Sequence, residues 1–184
     1  MPVKNLTKAE IIRGLERLSA LAEAEAVTLE VALYGGAVMM LAYDARPATK
    51  DVDAIIRPAG TGLRLARRVA RENNWHEDWL NDDVRMFVSQ VETRQAWIPG
   101  NLHAPALKIT RPTARYLLAL KVMACRRPLP GHAGDEDDIR FLTRKMRIRT
   151  VAAVAAIVDT YFPDTVLPAS TTLTLEKILA EPAP

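Results

Sequence analysis

Residues 34–56 read Y-G-G-A-V-M-M-L-A-Y-D-A-R-P-A-T-K-D-V-D-A-I-I. A glycine pair, Gly35-Gly36, ends one apolar run, and a D-x-D, Asp51 and Asp53, heads the next. Upstream, V-T-L-E-V-A-L-Y over 27–34 predicts a buried strand. Downstream, 37–43 is small, apolar and Met-rich, which predicts a short buried helix. A loop over 44–50 carries Arg46, Pro47 and Thr49, and 51–57 predicts a second strand. On that strand Asp51, Asp53 and Ile55 share one face; Val52, Ala54 and Ile56 share the other.

Each half of this stretch has a plain and a chemical reading. A strand that ends in two glycines and feeds a helix leaves backbone N–H groups at the helix start, where a phosphate can approach without meeting a Cβ. A glycine pair alone is equally a tight turn. Two carboxylates two residues apart on a strand project from one face, and like charges so close repel unless a cation lies between them. Such an oxygen pair suits Mg²⁺ or Mn²⁺, with phosphates completing the shell. Taken alone, the D-x-D reads as two solvated acids at a strand start. That strand, however, continues A-I-I, as a buried segment does.

Working outward, Thr7-Lys8-Ala9-Glu10 is a capping box, and Ile11, Leu15, Leu18 and Ala22 follow at helical spacing, so a helix is expected over 8–25. After the second strand, Thr61 is the expected cap of a helix reaching Asn73. Arg64, Arg67, Arg68 and Arg71 make a basic stripe along it, read first as a solvated face and second as a phosphate-contacting surface. Residues 75–87 mix aromatic and acidic side chains, which predicts irregular chain with a short helix. Strands are expected over 94–98 and 106–110, helices over 113–125, 135–145, 151–161 and 172–180. A Pro/Gly-rich loop is expected over 126–134 and a frayed Pro-rich end over 181–184. The fold class is therefore α+β: a mixed sheet flanked by helices over 1–110, then a helical portion over 111–184, packed as one compact unit.

The chain has 184 residues, 49% apolar and 26% charged, enough for a real core. Its net charge of +3, carried largely by arginine, tilts a partner towards nucleic acid only slightly. One cysteine, Cys125, excludes an internal disulfide and suits a reducing cytoplasm, where it reads as a buried thiol. The first 25 residues mix charge with apolar side chains, unlike a signal peptide, and no stretch is apolar enough to span a bilayer, so no membrane partner is expected. His76, His103 and His132 are scattered, without metal-ligand spacing. Trp75, Trp79 and Trp97 read as core.

A glycine pair followed, one short helix and a loop later, by D-x-D resembles the nucleotidyltransferase superfamily, whose pattern is hG[G/S], a helix, then [D/E]h[D/E]h. Arg46 and Thr49 match the R-x-x-T-x-D-h-D form of a branch similar to the AbiEii/MenT-type toxin nucleotidyltransferases of toxin–antitoxin systems. Those relatives also carry a helical lysine, a basic loop and an acidic R-D-x-x-D-h motif. Here L-L-A-L-K-V-M-A-C-R-R, with Lys121, precedes G-D-E-D-D-I-R-F-L, with Asp135 and Asp138. The resemblance spans roughly residues 29–142. Two departures stand out. Gly134 takes the place of the second motif's arginine, and the strand expected over 106–110 offers Lys108 and no third carboxylate, with Glu92 lying outside it.

The resemblance implies a cytoplasmic, metal-dependent enzyme that moves a nucleotide from an NTP to a hydroxyl of RNA, in particular tRNA, as a toxin countered by an antitoxin protein. Asp51 and Asp53 would hold Mg²⁺ or Mn²⁺. Gly35, Gly36, Arg46, Thr49 and Lys121 would bind the nucleotide, and Lys121 and Asp138 would join the aspartates in catalysis. A different acceptor, either a small molecule or a protein side chain, remains open. So does a nucleotide- or protein-binding module with impaired catalysis. The plainer reading of Lys121 is a snorkelling lysine on a packed helix. For Asp135 and Asp138 it is an acid-rich helix start.

Overall fold

The computed structural model describes residues 5–126 and 134–181. Most of the expected Pro/Gly-rich loop, with His132, and the Pro-rich end beyond Glu181 lie outside them. The chain divides into two compact units, Met1–Met86 with Arg94–Arg111 and Phe87–Thr93 with Pro112–Pro184. The fold class is α+β, as expected, with the sheets in the first unit and four of seven helices in the second, among the described residues. The division falls one residue beyond the expected 110/111 boundary, and Phe87–Thr93 belongs with the helical unit.

The first unit opens with β1 (Leu6–Thr7) and α1 (Lys8–Ala24). The capping box is present: Thr7 Oγ1 accepts from the Glu10 N–H at 3.3 Å, and Glu10 Oε2 accepts from the Thr7 N–H at 2.9 Å. Next come β2 (Leu29–Leu33), α2 (Gly35–Tyr43), β3 (Ala48–Thr49), β4 (Val52–Arg57) and α3 (Ala59–Asn73). Then follow β5 (Leu80–Asn81), a 3₁₀ turn (Asp83–Met86), β6 (Arg94–Ala96) and β7 (Leu107–Pro112). β1 and β3 pair antiparallel, Leu6 opposite Thr49. The main sheet runs β5-β4-β2-β7-β6.

Central strand β2 is antiparallel to β4 and parallel to β7. Consequently the ends of β2 and β7 and the start of β4 lie at the same end of the sheet. Leu29, Val31 and Leu33 of β2 are buried, as are Val52, Ala54 and Ile56 of β4. Burial of each larger aliphatic side chain contributes about 1.5–3 kcal/mol. The expected alternation along β4 is what fixes its register, because a one-residue slip would turn the aliphatic set outward.

Three helix starts differ from expectation, the last helix beginning at Ala169 rather than Thr172. α2 begins at Gly35 rather than Ala37, with Tyr34 as its extended N-cap. α3 is capped by Pro58 rather than Thr61: Pro58 is extended, at φ −65° and ψ 131°, as an N-cap is, and the Gly62 N–H donates to the Pro58 carbonyl at 2.9 Å. α3 packs on α1. Trp79, fully buried beneath them, donates its indole N–H to the Ala66 carbonyl at 2.9 Å, and Trp75 meets it edge-on at 5.1 Å.

The second unit contains α4 (Ala114–Ala124), α5 (Glu136–Lys145), α6 (Val151–Tyr161) and α7 (Ala169–Ala180). α4 packs on α5 and α6, and α7 on α5 and α6. The Phe87–Thr93 segment is fastened here by side-chain bonds that no periodicity announces. The Ser89 N–H donates to the Tyr116 hydroxyl at 2.8 Å, Ser89 Oγ donates to the Tyr161 carbonyl, and Thr93 Oγ1 lies 3.0 Å from the Tyr161 hydroxyl. No helix among the described residues is long and apolar enough to cross a membrane.

Candidate active site

Where β2 hands the chain to α2, the D-x-D strand lies directly against it. The Tyr34 N–H donates to the Asp53 carbonyl at 2.8 Å. Gly35 has φ +59°, a left-handed conformation that costs a residue with a Cβ about 1–2 kcal/mol. A Cβ there would also lie 2.2 Å from Asp53 Oδ2. At Gly36 a Cβ would lie 2.7 Å from Thr49 Oγ1 and 3.5 Å from Arg46 Nη1. The glycine pair is thus the floor on which Asp53, Thr49 and Arg46 rest. The expected reason for the glycines, room for a phosphate, is only part of it. The space their missing side chains leave is filled by the protein's own site residues.

Each of those residues is held by its element. Thr49 is buried in β3 against β1. Asp51 and Asp53 are half-buried on the face of β4 opposite Val52 and Ala54, which are buried. Asp53 therefore presents its carboxylate beside the first turn of α2, where the helix dipole favours negative charge. Asp51, two residues before it, sits just ahead of β4 rather than within it.

Lys121, Asp135 and Asp138 come together in the second unit. Lys121 Nζ lies 2.9 Å from Asp135 Oδ1 and 2.8 Å from Asp138 Oδ2, and all three side chains are at most 5% exposed. Arg126 adds three bonds to Asp135: its backbone N–H and Nε each donate to Oδ2 at 3.0 Å, and Nη2 donates to Oδ1 at 3.4 Å. The Asp135 N–H in turn donates to the Arg126 carbonyl at 2.9 Å. Burial pushes the Asp135 carboxyl up, but the Lys121 charge and the Arg126 and Lys121 hydrogen bonds outweigh it and bring it down to about 2. Asp135 is the N-cap of α5, and its side chain makes no capping bond to that helix. It closes the chain between α4 and α5 instead. The snorkelling lysine of the plainer sequence reading is a buried, doubly paired one.

The basic stripe on α3 is largely neutralised. Arg64 pairs with Glu25, the C-cap of α1, Arg68 with Glu72 at 3.1 Å, and Arg71 with Glu77 at 3.6 Å. Glu72 also accepts from Arg17 at 2.7 Å, and this bond is the main reason its carboxyl lies at about 2. The face is one of ion pairs joining α1 to α3, which favours the solvated-face reading. Burial pushes the Cys125 thiol up, away from the reactive thiolate. Among the described residues no group of three or more His, Cys, Asp or Glu could hold a metal ion. β7 carries Lys108 and Arg111 where a third carboxylate would be sought, and Glu92 lies in the second unit.

No family model, curated protein or solved structure matches the chain.

One residue that sequence reasoning passed over is Arg111, which falls just beyond the strand expected over 106–110 and ahead of the helix expected over 113–125. Its guanidinium lies 5.2 Å from the Tyr43 ring and 5.3 Å from the Trp97 ring, and Nη1 donates to the Tyr43 hydroxyl at 2.8 Å. Nothing in the linear pattern links positions 43, 97 and 111; the strand pairing does.

Proposed function

We propose that this chain is a metal-dependent nucleotidyltransferase. It would transfer a nucleotide from an NTP to an RNA hydroxyl, with tRNA the first acceptor to test, and act as the toxin of a toxin–antitoxin pair whose antitoxin is a protein. The observation that carries the reading is the contact between Gly35 and Asp53. A left-handed glycine whose Cβ would lie 2.2 Å from a carboxylate oxygen is a local arrangement that only glycine permits, and it joins the two halves of the sequence motif.

The donor set fits Mg²⁺ or Mn²⁺. Asp51 and Asp53 supply two hard oxygen ligands, and Mg²⁺ is commonly bound by one or two carboxylates with phosphates and water completing its shell. When bound, the metal would neutralise the phosphates and activate the attacking hydroxyl. This chain's own residues do the rest. Asp53 is fixed against the start of α2, so its carboxylate needs little reorganisation. The N–H groups of α2's first turn and the Arg46 guanidinium orient the triphosphate, and Thr49 holds Arg46's segment against the glycines. Lys121, held by two carboxylates, acts within the second unit as a fixed positive charge rather than a mobile one.

The test is incubation with each radiolabelled NTP, total tRNA and Mg²⁺. Label on tRNA, lost in Asp53→Asn, is expected; no transfer with any NTP would sink the RNA version. Label on a protein or a small molecule would move the acceptor and keep the chemistry.

A second reading, a binding module with impaired catalysis, is favoured by one observation. No third carboxylate joins Asp51 and Asp53 among the described residues. Nucleotide binding without transfer to any acceptor would select it.

A further inference from the structure

We infer that Arg111 is an oxyanion-binding residue, seated between Tyr43 and Trp97, that takes a phosphate or carboxylate oxygen from outside the chain. It lies next in register beyond the Ala32–Thr110 pair of β2 and β7. On the pleat it shares a face with Ile109, whereas Asp53 shares the other face with Ile55, so this is a different seat from the D-x-D.

Three observations build the seat. First, two aromatic faces lie 5.2 and 5.3 Å from the guanidinium and attract the cation. Second, no carboxylate among the described residues pairs with it; its side chain donates from Nη1 to the Tyr43 hydroxyl at 2.8 Å. Third, Nε is buried and has no hydrogen-bond partner, and no other buried side-chain donor or acceptor among the described residues is left so. Buried donors in native proteins are nearly always satisfied, and an orphan marks either strain or an absent partner. An arginine is always cationic and presents its donors as a planar fork matched to an oxyanion. A guanidinium placed only for packing would gain from a neighbouring acid. Here the chain supplies two rings and one phenol oxygen, which stabilise the cation without neutralising it. An oxyanion would meet both the charge and the spare donor.

The inference stands apart from the transferase reading, and its test uses neither metal nor acceptor. The full chain is titrated in EDTA with inorganic phosphate, tripolyphosphate and acetate, following tryptophan fluorescence and the melting temperature. Trp97 touches the guanidinium, so a saturable fluorescence change with an apparent Kd of about 1 mM or tighter is expected, with a rise in melting temperature. Trp97→Phe should lose the fluorescence change. Arg111→Gln should lose the thermal shift as well. Should Arg111→Gln fail to fold, Arg111→Lys decides: it keeps the charge, loses the fork, and should bind at least tenfold more weakly. A response to phosphates assigns a phosphate source, and one to acetate alone assigns a carboxylate. No saturable response to any of the three anions, or equal binding by Arg111→Lys or Arg111→Gln, would overturn the inference.

Discussion

Asp53 rests on Gly35: a Cβ on residue 35 would lie 2.2 Å from the aspartate's Oδ2, closer than any two such atoms can stand. The second acid of the D-x-D is therefore placed by the absence of a side chain eighteen positions earlier in the sequence, brought beside it by a strand pairing that sets Leu33 against Ala54. Stability and site geometry are coupled at this contact.

Gly35→Ala should cost about 2–3 kcal/mol, the left-handed φ supplying roughly half and the displaced carboxylate the rest. Urea denaturation measures it. Gly36→Ala has no positive φ, and its nearest clash, at 2.7 Å, is with the Thr49 hydroxyl. Its loss should be smaller and should shrink when combined with Thr49→Ala, a non-additivity expected of touching residues. Equal, additive losses at both glycines would contradict this account.

Asp53→Asn keeps the shape of the contact and removes a charge. In the transfer assay a loss of at least about a hundredfold is expected, on the scale of other preorganised electrostatic groups in active sites. Asp51→Asn should behave alike. A fold measured intact by circular dichroism alongside full activity would remove the aspartates from the chemistry.

Lys121→Met leaves Asp135 and Asp138 buried together without the cation they share, Arg126 remaining on Asp135. A loss of about 3–5 kcal/mol is expected, the usual result of removing one partner from a buried ion pair. A thermal melt that barely moves would show that the cluster contributes little to the fold, and its role would then lie in binding.

Acid should weaken the second unit through Asp135. Its folded-state carboxyl is depressed from the ordinary 3.8 to about 2, so the stabilisation is complete above pH ~4 and is lost as pH falls through about 2. The depression corresponds to roughly 2 kcal/mol. Urea midpoints measured between these limits should fall for the native chain and flatten there in Asp135→Asn. An unchanged slope in that variant would assign the acid sensitivity elsewhere.

Ion pairs on the α1–α3 face should matter much less. Arg64→Ala, which breaks the pair with the exposed Glu25, should leave the melting temperature nearly unchanged, and any loss should shrink in high salt. If the same substitution weakened tRNA binding severalfold while leaving the melting temperature unchanged, the stripe would be a phosphate contact after all.

The sequence by itself determined the local parts. Glycines, the capping box and the alternation over Val52, Ala54 and Ile56 are each short-range patterns with one dominant backbone solution, and the expected elements are present, three helix starts apart. It also pointed to Lys121, Asp135 and Asp138, though not to their state. Burial and charge pairing depend on neighbours far along the chain, so only the tertiary structure decided that the lysine is locked between two buried carboxylates and that Arg126 closes on one of them. The same holds for Arg111, whose neighbours Tyr43 and Trp97 come from a helix end and from the chain just past β6. Propensity and spacing act over a few residues, whereas a site is made where strands pair and side chains lose their water.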